Sequence, residues 1–204
     1  MSSDDDLLIA WRSGDQRAGQ ELFERHYDAI DRFFRNKVGE SAGRDLAQKT
    51  FLGCLESVER DRYQSRGSFR SWLFAIAYRQ LCKHWRNSKR EQERFDFGTV
   101  SAFDLDPTPS SLMVRSQEER LLLEALRQIP VDMQVALELR YWEQMSDTDI
   151  AAALDTPLGT IKSRLRRARI ILGERMEKLA SSSEQLDSTL GNLEGWAASL
   201  RKLV

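Results

Sequence analysis

The chain has 204 residues, 41% of them hydrophobic and 31% charged, and its 31 Lys and Arg against 32 Asp and Glu leave a net charge of −1. The length allows one or two compact domains. The near-neutral balance excludes a global basic field, so any grip on DNA has to come from a local patch with outside help.

Two cysteines, Cys54 and Cys82, make no disulfide framework, and no apolar run approaches the length of a membrane span. Asp4, Asp5 and Asp6 oppose a basic signal-peptide start. A soluble protein of the reducing cytoplasm, with no membrane partner, is expected.

Helices are predicted over 7–11 and 18–38, joined at Ser13, Gly14 and Asp15. In the second, Leu22, Phe23, Tyr27, Ile30, Phe33 and Phe34 form a broad apolar stripe. Residues 39–43 read as a loop bracketed by Gly39 and Gly43. A third helix over 44–58 buries Leu46, Thr50 or Phe51, Leu55 and Val58. The polar stretch 59–68 is a loop, and 69–86 a fourth helix with Phe69, Trp72, Leu73, Ile76, Ala77 and Leu81 inward. Cys82-Lys83-His84 has the look of a metal site, but two cysteines and two histidines are too few for a closed zinc shell. No cofactor or metal is expected, and both cysteines read as small core residues.

Composition shifts near residue 93. Residues 95–111 hold Gly98, Pro107, Pro109 and three aspartates without helical period, which reads as an acidic linker with no fold of its own. Helices resume over 116–128 and 131–142. A short helix follows with Ile150 and Leu154 inward, then the breaker Asp155-Thr156-Pro157. The last helix places Ile161, Leu165, Ala168 and Leu172 on one stripe at the 3.6-residue period. Its other faces carry Thr160, Lys162, Ser163, Arg164, Arg166, Arg167 and Arg169, with no acid between 160 and 170. Two short helices about a tight turn, the second basic outside and apolar inside, read as a DNA-binding helix-turn-helix. The competing reading is a solvated basic face; the preceding turn and the uninterrupted charge favour an anionic partner.

No strand-like alternation occurs, so the fold class is all-α: two small helical domains on a tether. The divisions are 1–94, a linker over 95–115, 116–180, and a tail over 181–204. In the tail, Leu186, Leu190, Leu193, Ala197, Leu200 and Val204 recur at spacings of four and three. That pattern suits either a helix packed on its own domain or a docking helix for another protein.

Two segments together resemble the extracytoplasmic-function class of bacterial RNA polymerase sigma factors. Residues 159–169, G-T-I-K-S-R-L-R-R-A-R, resemble the signature of their region 4. Residues 45–51, D-L-A-Q-K-T-F, and 69–77, F-R-S-W-L-F-A-I-A, resemble two signatures of region 2. The likeness runs over about 7–179 in the family's order. The resemblance implies that region 2 binds the clamp helices of the polymerase β′ subunit and melts the −10 element. It implies that region 4 sits on the β-flap and reads the −35 element. Lys162, Ser163 and Arg166 would then reach base edges, while Thr160, Arg164 and Arg167 suit phosphates. In region 2, Tyr63, Gln64 and Arg66 offer stacking planes and hydrogen-bond groups to an unpaired base, with Arg70 and Arg79 on the helix behind. Each of the three loop residues reads equally as ordinary loop polarity.

The chain departs from the family where region 2 normally carries a cluster of acids. Here Arg44-Asp45-Leu46-Ala47-Gln48-Lys49 keeps one acid and puts Arg44 and Lys49 in place of glutamates. Like charges juxtaposed at an interface repel, so core polymerase should bind poorly through Arg44, Asp45, Gln48 and Lys49 as they stand. A phosphate on Thr50 would add nearly two negative charges beside Lys49. The pattern resembles the subgroup of these sigma factors switched on by a Ser/Thr protein kinase. Alternatively, Thr50 is a half-buried helix residue and the acids are lost by drift. Control by an anti-sigma protein, or a stand-alone helix-turn-helix repressor binding DNA without polymerase, stay open as different readings. An enzyme is not expected, since no nucleophile–base set, phosphate-cradling glycine loop or metal cluster occurs.

Overall fold

The computed structural model describes residues 2–59, 67–88, 96–105 and 117–180, together with Gly195. The loop residues Tyr63, Gln64 and Arg66 and the tail pattern over 181–204 lie outside the described residues. The described residues form helices and no strand, apart from one isolated bridge between Ser101 and Pro130.

Helix α1 (Asp4–Arg12) begins at a capping box: the Ser3 hydroxyl accepts from the Asp6 amide at 3.1 Å and the Asp6 carboxylate accepts from the Ser3 amide at 3.1 Å. Asp15 caps α2 (Gln16–Arg35) by accepting from the Arg17 amide at 2.9 Å. Gly19 lets α1 and α2 close up, since a Cβ there would stand 2.8 Å from the Trp11 indole. Helices α3 (Glu40–Glu59) and α4 (Phe69–Ser88) complete the N-terminal module around Leu22, Ile30, Phe34, Leu73 and Trp85, all nearly or fully buried. Cys54 and Cys82 are buried within it. Burial raises the thiol pKa of both, that of Cys82 to about 11, so neither is a ready nucleophile.

Several expectations are corrected. Helix α2 stops at Arg35, three residues short of the predicted end, and Lys37 turns inward. Residues 40–43 are helix rather than loop. The Gly43 amide donates to the Gly39 carbonyl at 2.9 Å and the residue is buried against Phe34, so packing of α3 on α2 overrides the weak helix propensity of glycine. Tyr27, expected in the apolar stripe, is 48% exposed. Both Thr50 and Phe51 are buried, where one of them was expected to be.

The linker is also more ordered than its composition suggests. A turn at 96–100 leads into α5 (Ala102–Leu105), with Phe97 buried beside Trp85 at 5.8 Å between ring centroids. Its carbonyls cap the next module. Helix α7 (Val131–Tyr141) starts at Pro130 without a side-chain cap, and the amides of Val131 and Asp132 donate to Val100 and Phe97 at 3.0 and 3.2 Å.

The C-terminal module packs α6 (Gln117–Arg127), α7, α8 (Asp147–Ala153) and α9 (Leu158–Leu179) over Leu139, Ile150, Ile161, Ala168 and Met176. The two modules meet along a buried seam, where α8 rests on α4 and ionic groups from each side interlock. Lys37, fully buried, pairs with Glu138 of α7 and donates to the Phe33 carbonyl at 2.5 Å. Burial lowers the pKa of Lys37 and raises that of Glu138, and their mutual attraction opposes both shifts.

Candidate nucleic-acid interface

The helix-turn-helix forms where the pattern placed it. Ser146 caps α8 by accepting from the Asp149 amide at 3.1 Å, and Asp155 takes the left-handed conformation (φ 47°) that turns the chain toward α9. Pro157 precedes α9, whose N-terminus has no side-chain cap; a helix N-terminus is a favourable setting for an anion.

Ile161, Leu165, Ala168 and Leu172 are buried, which turns Thr160, Lys162, Ser163, Arg166, Arg167 and Arg169 to solvent. Arg164 differs from its neighbours. It is half-buried and ion-paired to Asp132 of α7 at 3.1 Å. Burial raises the Asp132 pKa and Arg164 pulls it back, so this arginine steadies the helix against α7.

On the N-terminal module, α4 turns Arg79, Lys83 and Arg86 into a groove whose far wall is Ala152–Asp155 and whose floor includes Trp72 and Tyr78. Arg79 is therefore open to a ligand. Arg70 is engaged: its Nη2 contacts Glu143 at 2.5 Å. Ser71, one residue on, donates to Asp149 of α8 at 2.8 Å, and Ser68 reaches the same carboxylate at 3.3 Å. Burial alone would raise the Asp149 pKa, but the hydroxyls of Ser146, Ser71 and Ser68 outweigh it and lower the net value.

On α3, Arg44, Asp45, Gln48 and Lys49 are all exposed along one face. Their charges are answered locally, Arg44 by Glu40 at 3.2 Å and Lys49 by Asp45 at 2.5 Å, each one helical turn apart. Thr50 has no exposed surface, and its hydroxyl donates to the Leu46 carbonyl at 2.8 Å.

Sequence reasoning missed the groups that join the modules: Arg32, Lys37, Glu138 and Glu143. Each is charged and was given no role, and their partners lie about a hundred residues away in the chain, as for Arg32 and Glu143, which are 111 positions apart. A fully charged seam gives no periodic signal.

Comparison with known proteins matches two segments of the chain to family models. Residues 22–91 match the family described as Sigma-70 region 2, and 119–172 that described as Sigma-70, region 4. The chain is 29% identical over 187 residues to the ECF RNA polymerase sigma-E factor of Haemophilus influenzae, covering 87% of this chain and 97% of that one. Its fold is similar to CnrH in complex with the cytosolic domain of CnrY, with a TM-score of 0.65, 21% identity, and 88% and 100% of the two chains covered. It is similar also to the sigma factor RpoE in complex with the anti-sigma factor NepR from Bartonella quintana, with a TM-score of 0.56, 23% identity, and 78% and 96% covered.

Proposed function

Because this chain is a sigma factor of the extracytoplasmic-function group, built from sigma-70 regions 2 and 4 and directing transcription initiation, we propose that its two modules divide one promoter between them. Region 4 reads the −35 element through α9: Lys162, Ser163 and Arg166 at base edges, with Thr160 and Arg167 on phosphates. Arg164 acts there through its ion pair to Asp132, holding the helix at its angle. Region 2 takes the −10 strand along α4, on Arg70 and Arg79 and on Tyr63, Gln64 and Arg66, which precede that helix in sequence. The observation that carries this reading is the pair of basic rows, one on α9 and one on α4, in modules bearing the two family signatures. Neither row gives the whole molecule a positive field, which fits a factor that grips DNA inside a larger enzyme.

Core polymerase docks on the exposed face of α3, where Arg44, Asp45, Gln48 and Lys49 meet the β′ clamp helices, and on region 4 through the β-flap. Control by a Ser/Thr kinase at Thr50 is the finer part of the proposal, and burial sets its condition. The hydroxyl becomes available only when α3 lifts locally from the core. A phosphate of nearly two charges does not fit the apolar position, so it holds that segment outward and offsets Lys49. A second reading is control by a protein that covers the factor, as NepR partners the Bartonella quintana relative.

Gel filtration with core polymerase tests both parts. Unmodified protein should co-elute weakly, and protein phosphorylated at Thr50 should co-elute fully. Equal assembly in both states would remove the switch and leave the sigma factor. No assembly in either state would remove the polymerase-docking assignment.

A further inference from the structure

The seam between the modules is polarised. Region 2 contributes the cations Arg32, Lys37 and Arg70, while region 4 answers with Glu138 and Glu143. Glu143 stands in the turn after α7, 3% exposed, and one carboxylate serves two guanidinium groups. Its Oε1 accepts from Arg32 Nε at 2.9 Å with Arg32 Nη2 also at 2.9 Å, and its Oε2 takes Arg70 Nη2 at 2.5 Å. The next residue, Gln144, has φ 51°, a left-handed conformation costly for a side chain of that size. The strain marks a turn held in place by its surroundings, here by the two arginines on its neighbour.

A carboxylate spreads one negative charge over two outer oxygens, as a phosphodiester does, and paired guanidinium donors suit both. The site is not saturated by Glu143: Arg70 Nε is buried with no hydrogen-bond partner. A solvent-open cleft lined by Arg25, His26, Asp28, Arg32 and Arg70 leads to it.

We propose that Glu143 occupies the site on region 2 that holds a phosphate of the promoter strand, so that closure of the two modules and DNA binding compete for Arg32 and Arg70. This rests on the reading of α4 as the DNA-facing helix and adds Arg32 to it as a phosphate contact. The free protein is closed by its own anion. In the open complex region 4 moves away, taking Glu143 with it, and the strand's phosphate replaces the carboxylate. The exchange breaks and forms only ion pairs.

The test uses the full chain, labelled for energy transfer at Leu52→Cys and Ile170→Cys, two exposed positions on α3 and α9. A short single-stranded thymidine homopolymer is the probe, because phosphate contacts are independent of sequence. Binding of the probe to the otherwise native protein should lower the transfer as the modules part. Glu143→Gln should tighten binding roughly tenfold, the size of one charge-assisted contact. Arg70→Ala in the Glu143→Gln background should abolish the gain. The proposal is overturned if the probe binds without changing the transfer, or if Glu143→Gln opens the modules and leaves affinity unchanged. Should Arg79→Ala leave probe binding unaltered, it is the assignment of α4 to DNA that fails; sensitivity at Arg79 with none at Glu143 would fault the competition alone.

Discussion

Replacing Glu138 by leucine tests the seam most severely. Lys37 has no exposed surface and Glu138 is 2% exposed, so the leucine strands an ammonium in the interior. Removing one partner of a buried ion pair costs about 3–5 kcal/mol. Lys37 keeps the Phe33 carbonyl at 2.5 Å and the face of the Phe33 ring at 4.1 Å, and Gln134 keeps the Asn36 carbonyl at 3.3 Å. These remaining interactions place the cost at the lower end, about 3 kcal/mol, or a fall in Tm of roughly 6–12 °C for a chain of this size. The double substitution Lys37→Met with Glu138→Leu removes both charges and should return to within about 1 kcal/mol of the parent. The single variant also acquires a pH dependence of known sign. Burial already holds the Lys37 pKa below its ordinary 10.5, and loss of Glu138 holds it lower still. Between that depressed value and 10.5 the unfolded chain binds more protons than the folded one, so stability rises with pH across the window. Urea unfolding of parent, single and double variants at pH 7 and pH 9 checks each step. Equal loss of stability in the single and double variants would refute the coupling of the pair.

Three further outcomes follow from local geometry. Gly19→Ala drives a methyl to 2.8 Å from Trp11 and should destabilise the N-terminal module by about 1–3 kcal/mol in thermal unfolding; a neutral effect would mean that α1 shifts freely. His26 is buried beside Asp4 at 2.7 Å, and burial depresses its pKa below the ordinary 6.5 despite that carboxylate. Stability should therefore be full above pH 6.5 and decline as pH falls through the lower folded value, a slope that vanishes in His26→Gln. Phe97→Ala should release the linker from Trp85 and speed hydrogen exchange at the Val131 and Asp132 amides, which it caps, with little change deeper in α7.

The parts legible from sequence were those with local periodicity. The stripe of Ile161, Leu165, Ala168 and Leu172 was readable because a 3.6-residue repeat needs no knowledge of the partner surface, and burial follows it at all four positions. Glycine misled at residue 43, where burial against Phe34 outweighs the low helix propensity that suggested a loop. Burial of Thr50 was half legible: the helical period allowed it or Phe51 inward and could not show that α3 buries both. The seam was hidden for a deeper reason. Lys37, Glu138 and Glu143 look like solvated charges until the fold brings opposite signs together from distant segments, and only then do they tolerate burial.

Run-off transcription with purified core polymerase tests the central claim most directly. Core enzyme with this protein, offered a pool of genomic fragments, should start transcripts at a shared set of sites that core enzyme alone does not use. Alanine at Lys162 or Arg166 should weaken discrimination at the upstream element by roughly 1–3 kcal/mol for each base edge no longer read. Tight, sequence-specific binding of duplex DNA by the free protein, with no transcript started in the presence of core polymerase, would contradict the account.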